Sequence, residues 1–239
     1  MGETAENVAR EHKISRADQD QFALQSQQRW SAAHQRGLFA EEIVPVEIPQ
    51  RKGPPTVVSV DEHPRPDTTL ENLAKLKPAF SKDDQGTVTA GNSSGINDGA
   101  AALLIVEAGL AKSLGLQPIA FIGPSAAAGV DPAFMGLGPV PAIRKALLRA
   151  ELTLDRIDLF ELNEAFAAQA LACQRELGID NAKLNVNGGA IAIGHPLGCS
   201  GARIIVTLIN VLKQNNAKIG AAGICNGGGG ASAMVIDVG

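Results

Sequence analysis

The sequence predicts an α/β fold: a mostly parallel sheet with helices on its faces, closed by an antiparallel hairpin. Three observations carry this. Residues 118–239 alternate short aliphatic runs with segments whose apolar residues recur at helical spacing, the pattern of β/α units. The 26 glycines cluster at 91–99, 188–201 and 227–230, which marks built turns rather than low complexity. Hydrophobic residues make up 45% of the chain, enough for a packed core and too many for global disorder.

The elements follow in order. SRAD at 15–18 has the form of a capping box; Phe22, Ser26, Trp30 and Ala33 then share a helical face, and Gly37 is placed to end the helix. EIVPVEI (42–48) and TVVSV (56–60) are β-rich, but RKGPP and EHPRP interrupt them, so residues 1–80 form a loop-rich module with little core of its own. PIAFIG (118–123) reads as a strand. Pro141 suits the first position of a helix that carries Ile143, Leu147 and Ala150 on one face. DLFEL (158–162) is a strand, 164–177 a helix, LNVN (184–187) a short strand, and 201–214 a helix with Ile204, Leu208, Val211 and Leu212 inward. GAAGIC (220–225) and ASAMVID (231–237) flank NGGGG as the final hairpin. Residues 86–107 share the layout of 220–237: strand, glycine-rich turn, aliphatic strand. They are either the remnant of a doubled fold or two unrelated hairpins.

Composition removes several function classes. A net charge of −4 and the absence of Tyr leave neither a basic surface nor stacking platforms for nucleic acid. The longest apolar run, 99–106, ends at Glu107 and is too short for a bilayer, so no membrane partner is expected. No basic-plus-apolar leader opens the chain, and Glu6 speaks against N-terminal myristoylation. Cys173, Cys199 and Cys225 are an odd number without metal-ligand spacing and read as reduced thiols in the cytoplasm. GNSSGINDG lacks dinucleotide-binding spacing, and no phosphate-loop motif occurs.

Three stretches carry chemistry. In NGGAIAIGHPLGCSGAR (187–203), His195 follows a glycine turn and precedes a helix, where it would stay neutral at pH 7 and act as acid or base, or else pack as a satisfied histidine. Cys225 ends a strand before Asn226 and four glycines, whose N–H groups can form a nest. The nest would lower the pKa of the thiol and let it shuttle protons; the alternative is a buried cysteine filling the sheet. In NEAFA (163–167), Asn163 either caps the following helix or hydrogen-bonds a water or carbonyl at the strand's end.

Together these stretches resemble the thiolase family, specifically its acetyl-CoA acetyltransferases. MGETAENVA, SRADQDQFA, EEIVPV, GTVTAGNSSGINDGAA, GVDPAFMGLGPVPA, NEAFAAQA, NVNGGAIAIGHPLGCSGAR and CNGGGG occur in family order across the whole chain. The resemblance implies two similar β/α halves with a loop domain inserted in the first. Residues 1–97 would match the loop domain in part, 98–117 the last strand and helix of the first half, and 118–239 the complete second half, a mixed sheet with helices on both faces.

The resemblance also implies roles. His195 would activate a nucleophilic cysteine and, with a water held by Asn163, form an oxyanion hole. Cys225 would move the α-proton of acetyl-CoA, and the Gly227 N–H would serve a second oxyanion hole. Ala90, Ser94, Gly95 and Ile96 would line the coenzyme A channel, Arg65 would lie near its nucleotide end, and Phe80 and Met135 would contact the acyl-CoA. Coenzyme A thioesters would be the substrates, with no metal or redox cofactor, in a homodimer or homotetramer. The family's nucleophilic cysteine matches no residue here, so the expectation is a chain that resembles the C-terminal part of a thiolase and is inactive alone. A non-catalytic CoA-binding or assembly fragment and a Cys/His hydrolase are the competing classes.

Overall fold

The computed structural model describes residues 1–81 and 85–239. Its centre is a four-stranded sheet in the order β3 (Phe121–Gly129), β6 (Gly230–Asp237), β5 (Ile219–Cys225), β4 (Leu159–Leu162). Only β4 and β5 run parallel; β6 is antiparallel to both of its neighbours, so the sheet is mixed rather than mostly parallel.

Side-chain alternation along each strand separates two cores. Phe160 and Leu162 of β4, Ala221 of β5, and Ala231, Ala233 and Val235 of β6 point to one face. There they meet Ile143, Ala146 and Leu147 of α5 (Pro139–Arg149) and Ala170, Cys173 and Leu177 of α6 (Ala167–Leu177). Leu159, Ala222 and Ile236 point to the other face, against Ile204, Leu208, Val211 and Leu212 of α8 (Ser200–Gln214). Helices therefore cover both faces.

The N-terminal helices α1 (Gly2–Glu11) and α2 (Arg16–Gln35) join this body. Ser15 and Asp18 form the capping box, each side chain accepting from the other's backbone N–H. Phe22 and Ala23 enter the α5–α6 core, while Trp30 and Ala33 pack with Phe39 and Ala192. Beyond Gly37, β1 (Val46–Ile48) and β2 (Thr56–Val58) make a short antiparallel hairpin whose residues are all exposed. Two short helices, α3 (Leu70–Ala74) and α4 (Ala108–Ser113), complete the first half of the chain, and the four-residue α7 (Ala190–Ile193) lies just ahead of His195.

Five local expectations need correction. The strand expected at 118–123 begins at Phe121 and runs to Gly129; its register shifts between Ile122 and Ser125, so Pro124 is absorbed in a bulge of an edge strand. Helix α5 starts at Pro139, two residues before Pro141; both prolines occupy first-turn positions whose N–H groups have no intrahelical partner. LNVN makes one parallel bridge, Leu184 to Phe160, because Asn185 turns away at φ +44° and bonds Leu162 through its side chain. Residues 163–166 are not helical: the Ala167 N–H donates to Asn92 and the Ser94 N–H to Ala165, so this stretch pairs with 92–94, and Asn163 caps nothing. Residues 86–107 form isolated bridges instead of a second strand–turn–strand, and 99–106, the expected closing strand, has no regular structure.

The reason for the last difference is a lack of strand partners. Leu104 is 88% exposed and Ile105 68%. Leu110, Leu114, Leu116, Ile119, Phe121 and Ile122 continue the exposed apolar run. Among the described residues, no helix is long and apolar enough to cross a membrane. A run of this size favours self-association. Sedimentation velocity should show a mass that rises with concentration, and Leu104→Glu with Ile105→Glu should lower it. A monomer at every concentration refutes this.

Candidate active site

Parallel pairing brings the ends of β4 and β5 together, Leu162 opposite Gly223, and the Asn163 N–H donates to the Gly223 carbonyl at 3.0 Å. Asn163 and Cys225 thus leave the sheet at the same edge, where α/β sheets place their ligands. Cys225 faces the α6 side, and Glu161, two residues before Asn163, faces α8.

His195 reaches this edge from α7. Gly194 takes φ +94°, and the Asn97 amide fills the place of its missing Cβ. The Asn163 Nδ2 lies 3.3 Å from His195 Nε2, and His195 Nδ1 lies 2.6 Å from the Ser200 hydroxyl. Ser200 donates its proton to the Pro196 carbonyl at 3.0 Å, so its oxygen accepts from His195 Nδ1–H. The imidazole is then the Nδ1–H tautomer, and Nε2 is the basic nitrogen that Asn163 faces. Burial first, and the Arg203 charge second, push the His195 pKa down and favour the neutral ring. The Asn163 Oδ1 is buried with no partner among the described residues, an acceptor aimed at the same space.

The loop after Thr89 threads between these two motifs. Ser94 donates through both its N–H and its hydroxyl to the Ala165 carbonyl at 3.1 Å, and Gly95 accepts from the His195 N–H at 3.0 Å. His63 lies against Gly95, where a Cβ would overlap its ring, and sits 3.0 Å from the Ala192 carbonyl. Two residues on, Arg65 anchors its N–H to Gln27 and spends its guanidinium on the carbonyls of 62–64.

The glycine loop forms the other wall. Gly228 and Gly229 have φ +84° and +93°, and Val130 donates to the Gly229 carbonyl at 2.9 Å, joining the loop to the turn at Pro132–Leu137. Met135 in that turn is buried. The nest does not lower the Cys225 pKa as expected: burial pushes the thiol up to about 11, and the backbone N–H offsets only part of that. Burial also raises Cys173, whose Sγ lies 3.2 Å from the Gly136 carbonyl, and Cys199.

The structure therefore brings Asn163 and His195 into contact, sets Ser94 and Gly95 beside them, and puts Cys225 and Gly227 at the same sheet end. Ala90 and Ile96 are exposed on the neighbouring loop, and Phe80 packs edge-on to Phe166 with centroids 6.0 Å apart. Sequence reasoning missed Ser200 and Glu164. The Glu164 carboxylate is buried and accepts from Ser26 Oγ at 2.7 Å, Asn185 Nδ2 at 2.8 Å and the Ile191 N–H at 3.1 Å, which fastens the histidine loop to α2 and β4. Charge inside the apolar stretch LFELNEAFA was the available signal.

Residues 116–238 match the family described as thiolase, C-terminal domain, and residues 1–109 match thiolase, N-terminal domain. An acetyl-CoA acetyltransferase of Cupriavidus necator is 56% identical over 237 residues, covering 99% of this chain and 60% of that protein. Among solved structures, the Bacillus anthracis acetyl-CoA acetyltransferase superposes with a TM-score of 0.96 at 50% identity, covering 99% of this chain and 59% of that one. Human mitochondrial 3-ketoacyl-CoA thiolase in complex with CoA gives 0.93 at 50% identity, covering 99% and 58%. The chain spans about 60% of the length of the curated relatives it matches.

Two outcomes follow from the site. Glu164→Ala strands three buried donors and should lower the unfolding free energy by about 2–4 kcal/mol, read from urea melts. A thiol with a pKa of about 11 is only ~10⁻⁴ ionised at pH 7, so Cys225 alkylation by iodoacetamide should climb about tenfold per pH unit above neutrality. A labelling rate that levels off below pH 8 would contradict that environment.

Proposed function

Because this chain belongs to the thiolase family, we propose that it supplies the acid/base and oxyanion-stabilising part of an acetyl-CoA C-acetyltransferase. The reaction is the Claisen condensation of two acetyl-CoA to acetoacetyl-CoA and CoA, or the reverse thiolysis. One observation carries the reading: His195 is held between Ser200 and Asn163 with Nε2 turned to the space at the strand ends. As a neutral base, Nε2 accepts the proton of an attacking thiol; once protonated, it donates to the oxyanion of the thioester or its enolate. A water on Asn163 completes that hole. Cys225, kept as a thiol by burial, returns a proton to the enolate carbon during thiolysis and removes it, as thiolate, in condensation. The Gly227 N–H serves the acyl-enzyme carbonyl.

In this reading the acyl-accepting thiol lies outside these 239 residues. Cys173 is committed to α6, Cys199 packs at the start of α8, and Cys225 is the proton carrier. Ala90, Ser94, Gly95 and Ile96 would line the pantetheine path, with Arg65 at the nucleotide end and Phe80 and Met135 toward the acyl group. The site needs neither a metal nor a redox cofactor, and the complete enzyme works as a cytoplasmic dimer or tetramer. That all three thiols are held protonated also favours a second reading, a non-catalytic CoA-binding fragment.

The test separates the two. The isolated chain should show no thiolysis of acetoacetyl-CoA but should bind CoA by calorimetry, weakened by Arg65→Ala. Co-expression with the part of the Cupriavidus necator relative that this chain lacks should restore thiolysis, and His195→Asn should then reduce kcat by about 10²–10⁴-fold. Turnover by the isolated chain at the rate of an intact thiolase overturns the missing-nucleophile argument. Restored turnover indifferent to His195→Asn overturns the assigned base.

A further inference from the structure

One buried pair beside the site has no part in the chemistry above. Glu161 is 0% exposed, and its carboxylate lies 3.7 Å from a guanidinium nitrogen of Arg203. That distance is too long for a direct hydrogen bond. Neither Glu161 oxygen and none of the three Arg203 nitrogens has a hydrogen-bond partner among the described residues. A buried carboxyl–guanidinium pair this poorly satisfied contributes little to stability, because the desolvation cost of charging it offsets the attraction. Its retention calls for another account.

Position supplies one. Glu161 lies two residues before Asn163 on β4, so alternation sends it toward α8. Arg203 lies three residues after Ser200 on α8, on the same side of that helix. Asn163 and Ser200 are the groups that meet the two nitrogens of His195. The contacts therefore close a ring: His195 to Asn163, along β4 to Glu161, across to Arg203, and back along one helical turn to Ser200.

We propose that Arg203, braced by Glu161, is a positioning residue that sets the spacing and the local field across His195. The inference rests on His195 being the base assigned above. The two buried side chains pack between strand end and helix start, whose separation one imidazole spans. Burial pushes the Glu161 carboxyl up to about 8, so near neutral pH the Arg203 charge is incompletely offset and reaches His195, where it opposes formation of the imidazolium. Around the pair, Glu164, Glu42 and Arg29 act on Glu161, and Glu164, Glu42, Asp61 and Cys199 also feel the charge of Arg203. Arg203 thus sits among the carboxyl groups of Glu161, Glu164, Glu42 and Asp61, and its charge also reaches His195.

The experiment reads His195 directly in the full chain, with no substrate. Imidazole-labelled protein is titrated by NMR, and His195→Asn assigns the signal. Replacing both partners by apolar side chains, Glu161→Leu with Arg203→Met, should leave the melting temperature at or above that of the parent. Even so, His195 should titrate upward toward the ordinary histidine range, and its Nδ1 proton should exchange faster. Arg203→Lys, which keeps the charge, should hold the titration near the parent's, whereas Arg203→Gln should raise it. A purely structural pair predicts parent-like titration in the folded double variant, and that result overturns the proposal. Should the double variant not fold, identical titration of the Lys and Gln variants overturns it equally. Because no turnover is measured, failure here is distinct from failure of restored thiolysis, which would count against the enzymatic reading instead.

Discussion

The parallel pairing of β4 with β5 is the constraint on which the rest of the site depends. It fixes which residues leave the sheet together, and it does so by register alone: with Leu162 opposite Gly223, the next residues are Asn163 on one strand and, two further along, Cys225 on the other. A slip of one residue would send Phe160 and Leu162 to the α8 face and Glu161 into the α5–α6 core. The aliphatic packing of Ile143 and Leu147 against β4 and β5 therefore maintains the geometry of the polar groups at the strand ends.

Electrostatics divides the polar groups by depth. Every cysteine is deep enough for burial to govern its thiol, and the glycine turn beside Cys225 does not reverse that. His195 is only half-buried and senses a discrete neighbour. The consequence is a cluster in which burial favours the neutral His195 ring and the neutral Cys225 thiol, with Arg203 and Arg29 the nearby cations among the carboxyls of Glu164, Glu161, Glu42 and Asp61, all of which burial pushes upward.

Much of this was legible in the sequence. The capping box at Ser15, the inward faces of α2, α5 and α8, the final hairpin, the placement of Asn163 at a strand end and that of His195 between a glycine turn and a helix all follow from periodicity and turn chemistry. What was not legible depends on contacts distant in the chain. Asn163 reads as a helix cap until residues 92–94 take over the hydrogen bonds of 163–167. Asn185 reads as a strand residue until its φ of +44° turns it out of the ladder. Ser200 and Glu164 were overlooked because a serine at a helix start and a glutamate in a helical pattern have local explanations of their own. Charge state was the least accessible quantity, since the nest was visible in sequence and the burial that outweighs it was not.

Asn185 has a counterpart at the opposite margin of the sheet. Its amide takes both the N–H and the carbonyl of Leu162, while across the sheet Arg149 and Lys145 of α5 donate to the carbonyls of Ser125 and Ala127 on β3. Side chains thus occupy part of the outward backbone on both flanks, as charged residues do at the guarded edges of β proteins. A strand approaching either border would have to displace these side chains before it could pair with the carbonyls of Ser125 and Ala127 or with Leu162.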